Sequence, residues 1–359
     1  MSAAEPPPSS GPDQRDAPRQ GRSVAFFVAI FLAFLLLISG ALNVLLFVAS
    51  IGSFAASGLE ASAEDGGSYR LVHVGGDADA PARVLRIPIQ GAISEGQNPL
   101  LGASGGTVSR VRRALRVAAS DPDIRGVLLA IDSPGGGVTD SDEIYREVRR
   151  FRAENPGKRV IASIGDMAAS GGYYVALAAE RILARRTSVT GSIGVIMSAW
   201  NFAEAAKNLG IEQIAIKSEH TPLKDVLSPT RAMTEAERSM LTGIVEELYE
   251  QFLDVVSEGR PGLQRERIEK LADGSIYTAK AALSNGLIDE IGDERDALSW
   301  FERKLGGSVD LLEHRRLPSL REILFGVSAA APPMLERTAA RLISGTSGPR
   351  FLYYWQGGR

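Results

Sequence analysis

One serine lies in a stretch made almost wholly of small residues, Met167-Ala-Ala-Ser-Gly-Gly172. Small neighbours leave the hydroxyl of Ser170 accessible, which a nucleophile requires. The N–H of Gly171, directly after it, can help to hold the oxyanion of a tetrahedral intermediate. The pattern indicates nucleophilic catalysis by Ser170. The alternative is an ordinary serine that caps the start of a helix.

A second glycine-rich turn precedes it, Asp132-Ser-Pro-Gly-Gly-Gly-Val138. Glycines allow close approach to the backbone, and N–H groups at the end of a buried strand can bind an oxyanion. An ordinary turn or a phosphate-binding loop are the alternatives, but the Lys-Ser/Thr pair of a Walker-type loop is missing. The two turns lie about one strand–helix–strand unit apart, which favours a shared site.

A serine nucleophile also needs a base. The three histidines are His73, His220 and His314. Only His220 lies within the predicted domain near the two turns. Lys217 and Lys224 are the lysine candidates, and a lysine, with a reference pKa of about 10.4, is a base near neutral pH only if burial disfavours its charged form. Apolar residues lie close to Lys224 in sequence, namely Leu223, Val226 and Leu227. The residues alone leave the choice of base open.

Elements that could position these groups follow from hydrophobic periodicity. Short apolar runs alternate with helical patterns from Val84 onward, which is typical of an α/β domain built from βαβ units. Predicted strands cover 84–93, 127–131 and 160–164. A long helix is predicted to begin at a capping box of Thr234 and Glu237 and to end at Gly259. Its buried stripe is predicted to be Met240, Ile244, Leu248 and Phe252.

The N-terminal part of the chain has a different composition. We expect residues 1–23 to be a disordered cytoplasmic tail. Residues 24–50 are predicted to form a retained transmembrane helix, because this apolar run is longer than the core of a cleaved signal peptide and than most buried soluble helices. Arginines precede it and acidic residues follow it, so the domain should lie on the far side of a cell membrane. Residues 51–83 are predicted to form a linker.

We expect the catalytic domain to cover 84–305 and a C-terminal extension to cover 306–359. The extension contains two short amphipathic patterns, at 317–325 and 334–342, and ends in the aromatic cluster Phe351–Trp355. That cluster is expected to pack onto the domain or a neighbouring subunit. As a further hypothesis, it docks on a membrane surface or in a neighbour's groove.

Overall composition excludes several classes of function. The formal net charge is −3, so the chain lacks the basic field that nucleic-acid binding usually requires. It has no cysteine, which excludes thiol chemistry and cysteine-ligated zinc. The scattered histidines do not suggest a metal cluster. No nucleic-acid partner and no cofactor are therefore expected.

Four motifs in order carry a resemblance to a known family. They are Ser133-Pro-Gly-Gly136, Met167-Ala-Ala-Ser-Gly-Gly-Tyr-Tyr174, Thr190-Gly-Ser-Ile-Gly-Val-Ile-Met197 and Lys224-Asp-Val-Leu-Ser-Pro229. Together they resemble the signal peptide peptidase A family, also called protease IV or the S49 peptidases, over about 84–292. The segment 219–223 is slightly longer than the family's usual spacing between its two lysines.

The resemblance implies an α/β spiral fold of the crotonase or Clp-protease type. By motif, it implies Ser170 as nucleophile, Lys224 as general base, and the N–H groups of Gly136 and Gly171 as the oxyanion hole. It also implies that Ser192 hydrogen-bonds the lysine. The expected protein is a single-repeat serine endopeptidase of the inner membrane that forms a homo-oligomeric ring, such as an octamer.

The substrates implied are signal peptides left after export, and in addition misfolded exported proteins. We expect them to bind along a sheet edge with small or apolar side chains in shallow pockets. Two rival functions share the fold. A crotonase-type acyl-CoA enzyme uses the oxyanion glycines without a serine nucleophile, and a non-catalytic membrane scaffold needs neither Ser170 nor Lys224. The anchor and the Ala-Ala-Ser-Gly-Gly turn argue against the first, and the presence of both residues argues against the second.

Overall fold

The computed structural model describes residues 31–40, 43, 69–95, 106–316 and 351–354. Of the predicted anchor, residues 31–40 and 43 are helical and the rest lies outside the described residues. In the part of the chain that is described, no helix has the length and apolarity needed to cross a membrane. The two amphipathic patterns at 317–325 and 334–342 also lie outside it.

The described residues from 69 onward belong to one unit of alternating strands and helices. The strands are β1 (Tyr69–Gly76), β2 (Ala82–Gln90), β3 (Ile124–Ser133), β4 (Gly135–Gly137), β5 (Arg159–Ala169), β6 (Arg181–Ala184), β7 (Val189–Gly191), β8 (Ile196–Met197), β9 (Ile276–Thr278), β10 (Glu290–Ile291), β11 (Val309–Arg316) and β12 (Phe351–Tyr354). The helices are α1 (Thr107–Ser120), α2 (Val138–Glu154), α3 (Gly171–Ala176), α4 (Ala203–Asn208), α5 (Glu235–Gly259), α6 (Arg265–Leu271), α7 (Ala279–Ser284) and α8 (Glu294–Leu305). This arrangement confirms the predicted α/β class.

The main sheet has the strand order β1-β11-β2-β3-β5-β6-β10, with β7 paired to β5 and β9 paired to β7. From β11 to β10 the neighbouring strands run parallel, while β1 pairs antiparallel with β11. The central strands are nearly continuous apolar runs, as expected for strands buried on both faces.

Two cores cover the two faces of this sheet. On one face, α1 and α2 contribute Val108, Val111, Ile144 and Val148 to a large cluster with strand residues such as Leu129. On the other face, Ala297 and Phe301 of α8 pack against a smaller cluster. Its strand residues are Val84, Leu128, Ile161, Leu183, Val309 and Leu311. Alternate residues of each strand therefore serve opposite cores.

Both glycine turns lie at one edge of the sheet as a result. Strands β3 and β5 are parallel neighbours, and Ser133 near the end of β3 pairs with Ala168 near the end of β5. Parallel strands present their carboxyl ends at the same edge, where ligands of α/β sheets usually bind. The turn that begins at Gly135 and the turn that contains Ser170 follow directly from these two strand ends.

Two strands lie outside the predicted boundaries of the domain. β1 falls in the segment predicted as a linker, and β11 falls in the predicted C-terminal extension. β11 pairs with both β1 and β2, so it is an inner strand of the sheet. The folded unit thus starts before residue 84 and continues beyond residue 305.

Candidate active site

Ser170 lies at the junction of β5 and α3 with the unusual dihedrals φ 53° and ψ −116°. A non-glycine residue in such a conformation costs about 1–3 kcal/mol, which surrounding structure must offset. The Ser170 N–H donates to the Gly191 carbonyl at 2.7 Å, and its carbonyl accepts from the Tyr174 N–H at 2.9 Å. These bonds hold Ser170 in a sharp strand-to-helix turn, the geometry that presents a nucleophile at a sheet edge. The residue is only 1% exposed.

Backbone bonds fix the direction of the first glycine turn. The Gly137 N–H donates to the Ile93 carbonyl at 3.0 Å, and the Ile93 N–H donates to the Gly135 carbonyl at 2.9 Å. Successive residues of a strand alternate in the side to which their N–H and C=O point. The N–H of Gly136 therefore points away from Ile93, toward the side occupied by β12.

The two turns meet at Gly171. A methyl group on Gly171 would lie 3.2 Å from the Gly136 nitrogen and 2.4 Å from the Ser141 hydroxyl oxygen. A methyl group on Gly135, whose φ is +99°, would lie 2.7 Å from the Gly171 nitrogen. Only glycine fits such spacing. The structure thus brings together three of the predicted residues: Ser170, Gly136 and Gly171.

Lys224 lies apart from this group. It is exposed, and its backbone N–H donates to the Thr221 carbonyl at 3.1 Å. Within the described residues, no hydrogen bond joins its side chain to Ser170 or to Ser192. The Ser/Lys dyad is therefore not assembled in the described part of a single copy.

The rival base Lys217 has other partners. Its ammonium donates to an Asp225 carboxylate oxygen at 2.6 Å and to the Pro222 carbonyl at 2.9 Å. Arg231 then bridges Asp225 to Glu237. Hydrogen bonds from Arg231 and then from Lys217 hold the pKa of Asp225 far below its ordinary value. Lys217 is thus engaged by a carboxylate and a backbone carbonyl, and within the described residues no hydrogen bond joins it to Ser170.

His220 and Ser192 complete the predicted set. His220 is exposed and is not bonded to Ser170 within the described residues. Ser192 directly follows Gly191, the acceptor of the Ser170 N–H, and also has a positive φ of 51°. Its N–H donates to the Ser275 carbonyl at 2.7 Å. Ser192 thus follows the residue that binds the Ser170 backbone, and in the described part of the chain no hydrogen bond joins it to Lys224.

The pairing of the last strand could not be predicted from local residue patterns. The aromatic cluster at Phe351–Trp355 was a visible signal, but its partners were not predictable from composition. In the structure, β12 lies between β4 and β8 and pairs antiparallel with both. Tyr353 is opposite Gly136 in this register. A strand of the chain itself thus occupies the edge to which the Gly136 N–H points.

Comparisons with known proteins match one family model and several named relatives. The model of peptidase family S49 matches residues 152–307. A Synechocystis sp. protein provisionally named a protease is 36% identical over 231 residues, which is 64% of this chain and 77% of that protein. A protein of Enterococcus faecium, provisionally named signal peptide peptidase SppA, is 32% identical over 62% of this chain and 63% of its own length.

Longer relatives also match. Protease 4 of Haemophilus influenzae is 31% identical over 65% of this chain, and the match spans only 36% of that protein. Among solved structures, a ClpP1 mutant of Listeria monocytogenes is similar with a TM-score of 0.38 and 18% identity, over 59% of this chain and 92% of that one.

Proposed function

Because the chain belongs to peptidase family S49 and is a protease, we propose that it cuts peptide bonds with Ser170 as nucleophile and Lys224 as general base. The observation that carries this proposal is the strained turn at Ser170, where the backbone of the first glycine turn comes close to Gly171. A strained backbone at a serine beside two candidate N–H donors is expected for acyl transfer. A serine that only caps a helix requires no such strain.

The reaction follows from these positions. The neutral Lys224 amine takes the Ser170 proton as the hydroxyl oxygen attacks the carbonyl carbon of the peptide. The N–H groups of Gly136 and Gly171 stabilise the oxyanion, and losing one such donor typically costs about 100- to 1000-fold in rate. The protonated lysine then gives its proton to the leaving amine, and water later releases the acyl group from Ser170. Ser192 would hold the lysine through its hydroxyl.

Lys224 acts from a neighbouring copy in this proposal. The side chain is exposed in a single copy and is free of the carboxylate that engages Lys217, so it can enter the site of another subunit. Enclosure there would favour the neutral amine, because desolvation disfavours the ammonium. A homo-oligomeric ring provides such neighbours.

An exposed apolar surface supports assembly. Large side chains between β8 and the Lys217 segment are strongly exposed, with Ile216 at 95%. Monomeric soluble proteins rarely expose an extended apolar surface of this kind, and such surfaces usually mark interfaces. The members are Ile196, Trp200, Phe202, Leu209, Ile211, Ile214 and Ile216, and we call them the apolar arm.

Membrane anchoring and signal-peptide substrates are also part of the proposal. The uncharged run from Val24 to Leu42 supports an anchor at 24–50, with residues 1–23 in the cytoplasm and the protease domain outside. The name of the Enterococcus relative supports signal peptides as substrates. A reporter fused after Arg316 should be accessible to an external protease in spheroplasts, whereas a reporter at the N-terminus should be protected. The opposite pattern would refute this topology.

Covalent labelling tests the nucleophile directly. The full chain, in detergent micelles, is treated with a serine-directed fluorophosphonate, and the modified residue is found by peptide mass spectrometry. We expect modification of Ser170 and none in Ser170→Ala. Ser163→Ala is the matched control, since this buried serine lies within β5 rather than in the turn that follows it, and the variant should still be labelled at Ser170. A folded wild-type chain that resists labelling would favour the scaffold or acyl-CoA function.

A further inference from the structure

The segment that carries Lys224 lies between two helices. From the end of α4 to the start of α5, residues 209–234 form neither helix nor strand. Lys224 lies within this segment, and its backbone N–H donates to the Thr221 carbonyl at 3.1 Å. Catalytic groups on loops are placed less precisely than groups on helices or strands unless surrounding bonds hold them. A base at Lys224 therefore needs such bonds nearby.

Asp225, the residue directly after Lys224, is bonded from two sides. One of its carboxylate oxygens accepts from the Lys217 ammonium at 2.6 Å, and the other accepts from the Arg231 guanidinium at 3.0 Å. Arg231 also donates to the backbone carbonyl of Asp225 at 3.0 Å. The side chain and the backbone of Asp225 are thus fixed together, and Lys224 is joined to that backbone by one peptide bond.

Arg231 connects this restraint to α5. Its guanidinium donates to both carboxylate oxygens of Glu237, one of them at 2.9 Å, which is the two-bond geometry in which arginine holds a carboxylate most firmly. Glu237 also accepts from the Thr234 N–H at 2.8 Å as part of the capping box of the helix. The loop with Lys224 is therefore anchored to the first turn of a 25-residue helix.

A strained residue lies in the same turn. Leu227, three residues after Lys224, has a positive φ of 62°. The Ser228 N–H donates to the Asp225 carbonyl at 3.1 Å, which closes the turn that contains Leu227. A leucine persists in this conformation only where the surrounding bonds determine the backbone, and such strain is concentrated at functional sites. Arg231 binds the same Asp225 carbonyl, so it helps to maintain this turn.

We infer that Arg231 is a positioning residue for catalysis, which through Asp225 holds Lys224 in place to take the proton of Ser170. This inference rests on the proposed function, since it concerns the base of the same site. Lys224 acts while the serine attacks the peptide, so its displacement should lower kcat and leave KM unchanged. Displacement of a reacting group by about 1 Å can cost about 100-fold in rate.

Steady-state kinetics on a fluorogenic peptide measures the effect. Arg231→Met should lower kcat about 100-fold at unchanged KM. Asp225→Asn replaces one carboxylate acceptor by an N–H donor and leaves the pair of Arg231 and Glu237 in place, and it should also lower kcat at unchanged KM. Arg265→Met is the matched control and should keep the wild-type kcat. Arg265 is as exposed as Arg231, at 33% against 32%, and it also bridges carboxylates at α5, but far along the chain from Lys224.

Mixed oligomers show on which subunit Arg231 acts. In oligomers of Ser170→Ala and Lys224→Ala chains, the first chain supplies the lysine and the second supplies the serine. Arg231→Met added to the Ser170→Ala chain should remove most of the recovered activity. The same change added to the Lys224→Ala chain should leave the recovered activity as it was. A merely structural role of Arg231 would lower both activities alike.

The outcomes separate the positioning role from the proposed function. If folded and assembled wild type cuts no peptide, or if Lys224→Ala stays active, the proposed function fails and the positioning role with it. If the dyad variants behave as proposed but folded Arg231→Met and Asp225→Asn keep the wild-type kcat, or if both mixtures lose activity equally, only the positioning role is wrong.

One more variant decides the case in which the unmodified mixture shows no recovery because Ser170 and Lys224 act within one copy. Arg231→Met should then cause no further loss of the residual rate in Lys224→Ala, because the residue that it positions is already gone. A further loss as large as in the wild-type background would overturn the positioning role.

Discussion

Gly171 combines two constraints at the scale of single residues. Its N–H is proposed to bind the oxyanion, and a methyl group on its α-carbon would lie 2.4 Å from the Ser141 hydroxyl oxygen. Ser141 is itself fixed by donation to the Gly137 carbonyl at 2.8 Å. This tight packing leaves the Gly171 backbone little freedom to move, as a preorganised oxyanion donor requires.

Gly171→Ala should therefore lower kcat by about 100- to 1000-fold, the cost of misplacing one oxyanion donor. Gly262→Ala is the matched control, because a methyl group there has open space, and it should retain wild-type activity. Adding Ser141→Ala removes the closest clash and should restore part of the rate. Steady-state kinetics on a fluorogenic peptide measures this. Wild-type kcat in Gly171→Ala would show that its N–H takes no part.

At the scale of elements, local patterns predicted local structure well. The buried faces of α1 and α2 and the strands β3 and β5 follow from apolar periodicity, and the capping box of Thr234 and Glu237 is present. The two site turns were predictable because each follows a continuous apolar strand. These features depend on residues that are close in sequence.

Features that depend on distant partners were missed. β1 and β11 pair across more than 230 residues, as in the bond between His73 and Asp310, and nothing in either segment reveals its partner. Of the predicted stripe of α5, Phe252 is buried and Met240 and Leu248 are partly buried, but Ile244 is exposed. The other buried apolar residues of the helix, Leu241, Leu253, Val255 and Val256, were not predicted. The tertiary environment, rather than helical periodicity, decides which face of a long helix is covered.

The stability that the start of α5 contributes to the fold is expected to depend on pH. Hydrogen bonds from Arg231 lower the pKa of Glu237 from 4.5 to about 2, and this side chain is only 1% exposed. A carboxyl group with a lowered folded pKa stabilises the fold fully above its unfolded pKa, and the contribution is lost as the pH falls toward the folded value. The stabilisation should thus be complete above about pH 4.5 and disappear toward pH 2.

The variant Glu237→Gln tests this pH dependence of stability. The variant should melt at a lower temperature than wild type at pH 7, and the difference should shrink as the pH falls from about 4.5 toward 2. Glu235→Gln, two residues earlier and exposed, should show a much smaller difference. Thermal unfolding followed by circular dichroism across this pH range measures both. A difference that stays constant with pH would contradict the assigned role of the Arg231 pair.

At the scale of the whole molecule, assembly is proposed to complete the site. The apolar arm provides the surface, and substituting Ile214 and Ile216 together by glutamate should dissociate the oligomer and abolish peptide cleavage. Leu283→Glu, an exposed leucine on α7, should change neither. Native mass spectrometry measures the number of copies. Full activity of a dissociated double variant would show that one copy is sufficient.

Mixing experiments test whether the lysine comes from a neighbour. Ser170→Ala and Lys224→Ala should each be inactive alone. Co-expressed, they should form mixed oligomers in which some sites combine an intact Ser170 with an intact Lys224 of another subunit, and part of the activity should return. Ser170→Ala mixed with Ser170→Ala/Lys224→Ala is the control and should stay inactive. No recovery in verified mixed oligomers would place both residues within one copy.

The central claim is that Ser170 and Lys224 form the catalytic pair. The most direct measurement is hydrolysis of a fluorogenic peptide by the full chain and by Ser170→Ala, Lys224→Ala, Lys217→Ala and His220→Ala, each with confirmed fold and assembly. We predict that the first two lose activity by roughly 1000-fold or more, as for removal of a nucleophile or its base, while His220→Ala stays active and Lys217→Ala keeps most of its rate. Loss of activity in His220→Ala with retention in Lys224→Ala would contradict the lysine mechanism.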